Sequence, residues 1–135
     1  MSSDSPVPPT PSLKGGCFCG AIRYRITGPV LVSAQCHCED CRKTIGATSV
    51  SWFTINEVDL HWVSGEPTRF ASSAPVVRTF CGVCGTSLSY EHGARPGQVD
   101  ITTATLDNPE KITPSKDIFC AEKISWVPFH TQVHE

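Results

Sequence analysis

The chain carries few charges and has no long apolar run. Lys, Arg, Asp and Glu make up 18% of its 135 residues, the formal net charge is -2, and Lys and Arg form no cluster. Because no basic stripe is present, binding to nucleic acid is not expected. No segment approaches the roughly 18 to 20 apolar residues that span a bilayer, so no membrane partner is expected either. The first dozen residues lack the positive and apolar stretches of a secretory signal. We therefore expect a cytoplasmic protein, whose thiols stay reduced.

Sustained helical periodicity is also missing, and the sequence instead favours short strands joined by turns. Alternating or β-branched and aromatic segments predict strands over 21–27, 30–35, 48–55, 59–63, 68–71, 76–80, 86–91, 98–105 and 117–124. At most a short helix or turn is expected, around 39–45. Residues 1–12 are rich in Pro and Ser, which is typical of a disordered tail. We expect one mostly-β domain of short antiparallel strands over 13–130, followed by a C-terminal tail over 131–135.

Seven of the eight cysteines fall into three tight clusters. They are the pairs Cys17/Cys19 and Cys81/Cys84 and the trio Cys36, Cys38 and Cys41. Short spacings of this kind suit thiolates that converge on one metal ion, and zinc is the metal that a tetrahedral thiolate set favours. The two pairs make one closed four-sulfur site, typical of a structural zinc. The trio is one ligand short, which is typical of a zinc with a position open to substrate. The sequence therefore predicts two zinc ions per chain, and zinc binding adds stability that a small core lacks.

Several alternatives remain at this stage. An even number of cysteines also fits a disulfide framework, and clustered thiolates also fit iron–sulfur ligation. The trio can be closed by a fourth protein ligand, either Cys120 or a histidine. His37 lies between two of the cysteines, so we expect its side chain to point away from their metal. Cys120 is isolated and fits equally well as a small buried residue.

The order of the motifs resembles one known family. The motifs are Gly16-Cys17-x-Cys19-Gly20-Ala21-Ile22-Arg23-Tyr24, Cys36-His37-Cys38-x2-Cys41-Arg42-Lys43 and Phe80-Cys81-x2-Cys84-Gly85-Thr86-x-Leu88. Together they resemble the glutathione-dependent formaldehyde-activating enzyme family, which includes centromere protein V. The similarity extends over about residues 13–129.

The resemblance implies a zinc-stabilised, Mss4-like β fold. It also implies a structural zinc at Cys17, Cys19, Cys81 and Cys84 and an active-site zinc at Cys36, Cys38 and Cys41. The activity it implies is that of a carbon–sulfur lyase, which condenses formaldehyde with glutathione to S-(hydroxymethyl)glutathione. Glutathione or another small thiol and an aldehyde are then the expected partners.

Two charged residues next to the trio are candidate substrate ligands. Arg42 and Lys43 can hold a substrate carboxylate by charge, although both also fit a solvated turn. An alternative function is a non-catalytic zinc module that binds a protein partner, and metal storage or sensing through the trio is a third. The sequence leaves the oligomeric state open.

Overall fold

A computed structural model of the chain describes residues 12–135, so nearly all of the predicted disordered segment 1–12 lies outside the described residues. Within them the fold is mostly β, as predicted. The strands are β1 (Leu13–Gly16), β2 (Arg23–Ile26), β3 (Val32–Cys36), β4 (Val50–Asn56), β5 (Leu60–Ser64), β6 (Thr68–Ser73), β7 (Val76–Phe80), β8 (Ser87–His92), β9 (Gln98–Thr102) and β10 (Lys116–Ile118). Helix α1 (Glu39–Ile45) follows β3 directly.

The strands form two sheets. One has three strands in the order β1-β2-β5, and the other has seven in the order β10-β3-β4-β9-β8-β7-β6. All pairs are antiparallel except β10 with β3, which is parallel and sets Ile118 beside Cys36. Chain segments distant in sequence therefore meet at the end of β3, where the trio begins.

Strand β4 divides the interior into two apolar clusters, because successive side chains of a strand point to opposite faces. Phe53 and Ile55 are fully buried in the main core. Val50 and Trp52 point the other way and pack in a second cluster that includes the trio cysteines Cys36 and Cys41. The trio is thus built against one face of the central sheet.

Three strand assignments differ from the structure. The strand expected over 98–105 ends at Thr102, and a short 3₁₀ segment, Thr103–Thr105, follows. Strand β1 was not expected, because Leu-Lys-Gly-Gly offers one apolar residue and no alternation. The strand expected over 117–124 ends at Ile118. Phe119 adopts a left-handed conformation with φ 55°, which turns the chain into a short 3₁₀ segment, Cys120–Glu122. Helix α1, in contrast, has the predicted bounds.

The C-terminal residues lie along β10. The Asp117 N–H donates to the Val133 carbonyl at 2.8 Å, and the Glu135 N–H donates to the Asp117 carbonyl at 2.8 Å. Residues 133–135 therefore cover the outer edge of β10. No helix within residues 12–135 has the length and apolar character needed to cross a membrane.

Candidate metal centres

The first candidate centre joins two hairpin tips. The tip at Cys17 and Cys19 precedes β2, and the tip at Cys81 and Cys84 connects β7 to β8. The four sulfur atoms lie within 4.8 Å of one another. The Phe18 N–H of one tip donates to the Thr86 hydroxyl beside the other at 3.1 Å. The structure thus brings residues separated by more than sixty positions into one tetrad of thiols.

The backbone around this tetrad is arranged as in a metal knuckle. The N–H of Ile22 donates to Cys17 Sγ at 3.2 Å, and the N–H of Val83 donates to Cys81 Sγ at 3.4 Å. Gly20 and Gly85 close the two tips with φ 82° and 84°, a conformation that glycine adopts without strain. Thr86 adds a hydrogen bond that lowers the pKa of Cys84 to about 5. Convergent soft sulfurs with N–H donors around them fit a tetrahedral zinc.

The second candidate centre is the trio at the start of α1. Cys36 ends β3, Cys38 is the N-cap of α1, and Cys41 lies in its first turn. The Cys41 N–H donates to Cys38 Sγ at 3.3 Å. The three sulfurs converge within 4.8 Å of one another, and neither Cys120 nor His37 belongs to this group. The arrangement supplies three soft donors, and a protein site of this kind suits zinc with one further ligand.

Interactions within the trio favour ionisation of Cys41. The neighbouring Cys36 and Cys38 thiols, with a smaller contribution from the Arg78 guanidinium, outweigh burial and lower the pKa of Cys41 to about 3. The Arg78 Nη2 lies 3.9 Å from Cys41 Sγ. The same thiol contacts raise the pKa of Cys36. The trio therefore stabilises the thiolate of Cys41 while the Cys36 thiol is still protonated.

A cavity of about 510 Å³ opens beside the trio, and we call it the trio cavity. Cys36 and Cys41 line it together with apolar and aromatic side chains, of which Leu31, Trp52 and Ile118 are examples. Its cationic side chains are both paired. Arg95 binds Asp100 through two hydrogen bonds of 2.7 and 3.2 Å, and Lys116 Nζ lies 3.0 Å from a Glu135 carboxylate oxygen. The trio thus faces a space large enough for a small organic molecule.

His37 points away from the trio and into a buried network. Its Nε2 donates to Asp117 Oδ1 at 2.7 Å, and both side chains are fully buried. Asp117 also accepts hydrogen bonds from the backbone N–H groups of His130 and Thr131 and from the Thr131 hydroxyl. Burial opposes ionisation, but the hydrogen bonds from His37 and Thr131 outweigh it and hold the pKa of Asp117 well below its usual range. This network anchors the trio loop to β10 and the C-terminal segment.

The remaining predicted site residues lie at the edge of the trio. Arg42 Nε donates to the His37 carbonyl at 3.3 Å, and its Nη2 donates to the Glu122 carbonyl at 3.2 Å. Lys43 is exposed, and its Nζ lies 3.8 Å from a Glu39 carboxylate oxygen. Cys120 is half-buried in the 3₁₀ segment after β10, and all eight cysteines are free thiols.

Two residues at the site were not anticipated from the sequence. Arg78 is the single charged residue of β7, whereas Asp117 in β10 follows a second charged residue, Lys116. Arg78 alone therefore signals a buried polar role, because an isolated charge is costly to bury without a partner. The sequence gives no indication of the partner, since Arg78 meets Cys41 across 37 positions and Asp117 meets His37 across 80.

The comparisons with known proteins agree with this geometry. Residues 12–122 match the family profile described as glutathione-dependent formaldehyde-activating enzyme. A Halomonas elongata protein named "Putative glutathione-dependent formaldehyde-activating enzyme" is 26% identical over 129 residues, which cover 89% of this chain and 82% of that protein. An uncharacterized lyase of Schizosaccharomyces pombe is 32% identical over 90 residues, 64% of each chain.

A crystal structure of a Rhodobacter sphaeroides protein is similar in fold, with a TM-score of 0.60 and 25% identity. The match covers 73% of this chain and 93% of that one. The profile match extends over most of the chain and includes the tetrad and the trio, so the resemblance drawn from the motifs is confirmed. The chain belongs to the glutathione-dependent formaldehyde-activating enzyme family.

Proposed function

We propose that the chain is a zinc-dependent enzyme of the carbon–sulfur lyase type that forms or breaks a thiol–aldehyde adduct. The adduct of the family name, S-(hydroxymethyl)glutathione, is the leading candidate. The observation that carries the proposal is the trio, whose three convergent sulfurs include two that line a cavity. Three protein thiolates leave one position of a tetrahedral zinc for water or substrate, whereas the tetrad fills all four and suits a structural role.

The chemistry divides between the metal and the chain. Zinc bound at the trio supplies a charge that keeps a substrate thiol ionised near neutral pH. In the forward reaction the thiol gives up its proton, its sulfur bonds to the aldehyde carbon, and the carbonyl oxygen takes up a proton. Arg78 favours the thiolate form of Cys41.

The assignment of residues and partners follows from the same proposal. Cys36, Cys38 and Cys41 hold the active-site zinc, and Cys17, Cys19, Cys81 and Cys84 hold the structural one. Glutathione and formaldehyde are the first substrates to test, because the family description names both. A role for Arg42 and Lys43 in binding a substrate carboxylate stays a prediction, as does the cytoplasmic location.

The test is the exchange rate between free glutathione and S-(hydroxymethyl)glutathione, measured by two-dimensional exchange NMR with formaldehyde and zinc-loaded protein. We expect the protein to accelerate exchange above the spontaneous rate. Cys38→Ser should abolish the acceleration, and Cys38 is suitable because it is only half-buried, so its replacement perturbs the fold little. Cys120→Ser is the matched control, since this cysteine lies outside both the tetrad and the trio. Unchanged exchange in Cys38→Ser would remove the trio from the mechanism.

A second function has one specific observation in its favour. Phe18 and Val83 project from the two tips of the tetrad and are 92% and 80% exposed. Exposed apolar residues beside a structural metal suit a module that binds a protein partner. If the protein fails to accelerate exchange with any thiol while both zinc ions are bound, this non-catalytic function becomes the better account.

A further inference from the structure

Arg78 is a buried cation for which the described residues supply no carboxylate. Its side chain is only 8% exposed, and its guanidinium lies 4.8 Å from the centre of the Tyr90 ring. The Nε donates to the Ser72 hydroxyl at 3.3 Å, and Nη2 contacts Cys41 Sγ. Within residues 12–135, Nη1 has no protein acceptor and no acidic side chain forms an ion pair with Arg78. The Cys41 thiolate on Nη2 is its one anionic contact among these residues, so Nη1 leaves Arg78 the capacity to bind a second anion.

The indole of Trp52 is a second unused donor at the same place. Trp52 is 6% exposed, and its Nε1 is buried without a hydrogen-bond partner among the described residues. Buried indole N–H groups normally find an acceptor. Trp52 lines the trio cavity and also a second cavity, of about 360 Å³, that Arg78 lines as well. We call the second one the Arg78 cavity.

The walls of the Arg78 cavity suit a small organic anion. Ile45, Phe70 and Phe80 supply apolar surface, and Thr44, Ser87 and Ser89 supply hydroxyl groups. No acidic side chain is among the described residues that line it. An anion bound there meets the Arg78 cation without electrostatic repulsion from a lining carboxylate, and Trp52 forms part of the same wall.

The position of Arg78 links this cavity to the chemistry. One edge of the guanidinium contacts Cys41 of the trio, while Nη1 remains free on the same planar group. A carboxylate on Nη1 therefore lies across the guanidinium from Cys41 Sγ, which is itself 3.9 Å from Nη2. A substrate that carries a thiol and a carboxylate only a few bonds apart can then place the sulfur at the trio and the carboxylate at Arg78.

We propose that the Arg78 cavity binds the carboxylate of the thiol substrate, with Arg78 and Trp52 as its donors, so that the protein prefers thiols with a carboxylate close to the sulfur. The inference rests on the proposed thiol–aldehyde function and narrows its thiol to one whose carboxylate lies nearer the sulfur than either carboxylate of glutathione does. Arg95 and Lys116 are poorly suited to the same role, because Asp100 and Glu135 already neutralise them.

The test compares two thiols that differ in charge alone, 3-mercaptopropionate and 3-mercaptopropionamide. Binding to the zinc-loaded protein is measured by calorimetry, and thiol–formaldehyde exchange by NMR. We expect the carboxylate to bind about tenfold more tightly, the size of a charge-assisted hydrogen bond. Arg78→Gln should remove this preference, Arg78→Lys should keep part of it, and Trp52→Phe should reduce it. Arg69→Gln is the matched control, because Arg69 is an exposed arginine on the neighbouring strand β6.

A readout that is independent of activity comes from the indole N–H signal of Trp52 in ¹H–¹⁵N spectra, assigned with Trp52→Phe. Propionate, which lacks a thiol, should shift this signal in the native protein and in Arg69→Gln but not in Arg78→Gln. Bound zinc is measured in every variant, so that loss of the metal is not mistaken for loss of the anion site.

The outcomes separate the inference from the proposed function. Equal binding of the two thiols in the native protein, or a preference that survives in folded, zinc-loaded Arg78→Gln, overturns the inference. If exchange is accelerated without a preference between the thiols, the proposed function stands and the inference fails. If the preference and the Trp52 shift are present but exchange is not accelerated, the anion site stands and the proposed function fails.

Discussion

Replacement of Asp117 by Asn tests whether the buried network behind the trio is essential to the fold. The carboxylate of Asp117 is fully buried and accepts hydrogen bonds from His37 Nε2, the N–H groups of His130 and Thr131, and the Thr131 hydroxyl. An amide keeps one oxygen acceptor. If that oxygen still faces His37, the amide NH₂ meets backbone donors instead of accepting from them.

The expected loss follows from the number of bonds that cannot form. At least two hydrogen bonds to a charged group disappear, and buried N–H donors are left without an acceptor. A hydrogen bond to a charged group contributes about 1.5–3 kcal/mol, and breaking a buried charged network costs roughly 3–5 kcal/mol. We expect Asp117→Asn to lower the free energy of unfolding by about 3 kcal/mol, or Tm by roughly 10 °C in a chain of this size.

The assay is thermal and urea unfolding between pH 3 and 8, with bound zinc measured at each pH, because cysteine ligands take up protons and release the metal as the pH falls. The pKa of Asp117 is depressed in the folded state. Its contribution to stability is therefore complete above the unfolded value, about 3.9, and is lost as the pH falls through the lower folded value. The difference between native protein and Asp117→Asn should stay constant from pH 5 to 8 and shrink below about pH 4.

Asp107→Asn is the control, because Asp107 is half-exposed and pairs with Arg23 at the surface. It should change the stability by no more than about 1 kcal/mol. A difference of less than 1 kcal/mol for Asp117→Asn at neutral pH would refute the reasoning. So would a difference that grows rather than shrinks below pH 4.

Three further predictions concern the metal centres. Cys81 is buried in the main core as well as in the tetrad. Cys81→Ser should therefore have no cooperatively folded state at 37 °C and show no unfolding transition in calorimetry, whereas Cys38→Ser should still show one. A chelator should remove the trio metal first, because the trio provides three protein ligands rather than four; zinc release followed by a dye should then coincide with loss of exchange activity before circular dichroism changes. Phe18→Ser should leave Tm within about 2 °C, because the side chain is almost fully exposed, and a larger fall would show that Phe18 packs against the fold.

The local features of this fold are readable from the sequence, because short-range patterns determine them. Strand β7 has the predicted bounds because its β-branched residues favour a strand. Helix α1 has them because Cys38 caps its N-terminus and Gly46 ends it. Strand β1 has no such pattern and forms because Leu13 and Gly15 pair with Ile26 and Tyr24 of β2. Its existence depends on a partner strand and not on its own residues.

The trio shows the same division between local and long-range information. The spacing of Cys36, Cys38 and Cys41 is a local property, and a tight turn into α1 is enough to bring the three sulfurs together. Two charged groups beside the trio loop come from elsewhere in the sheet order: Arg78, which contacts Cys41, from β7, and Asp117, which binds His37, from β10. A sequence pattern therefore indicates that a metal can bind here, but the proposed preference for one thiol over another rests on a distant contact, that of Arg78. Substitutions at Arg78, rather than at the cysteines, are therefore expected to distinguish between substrates.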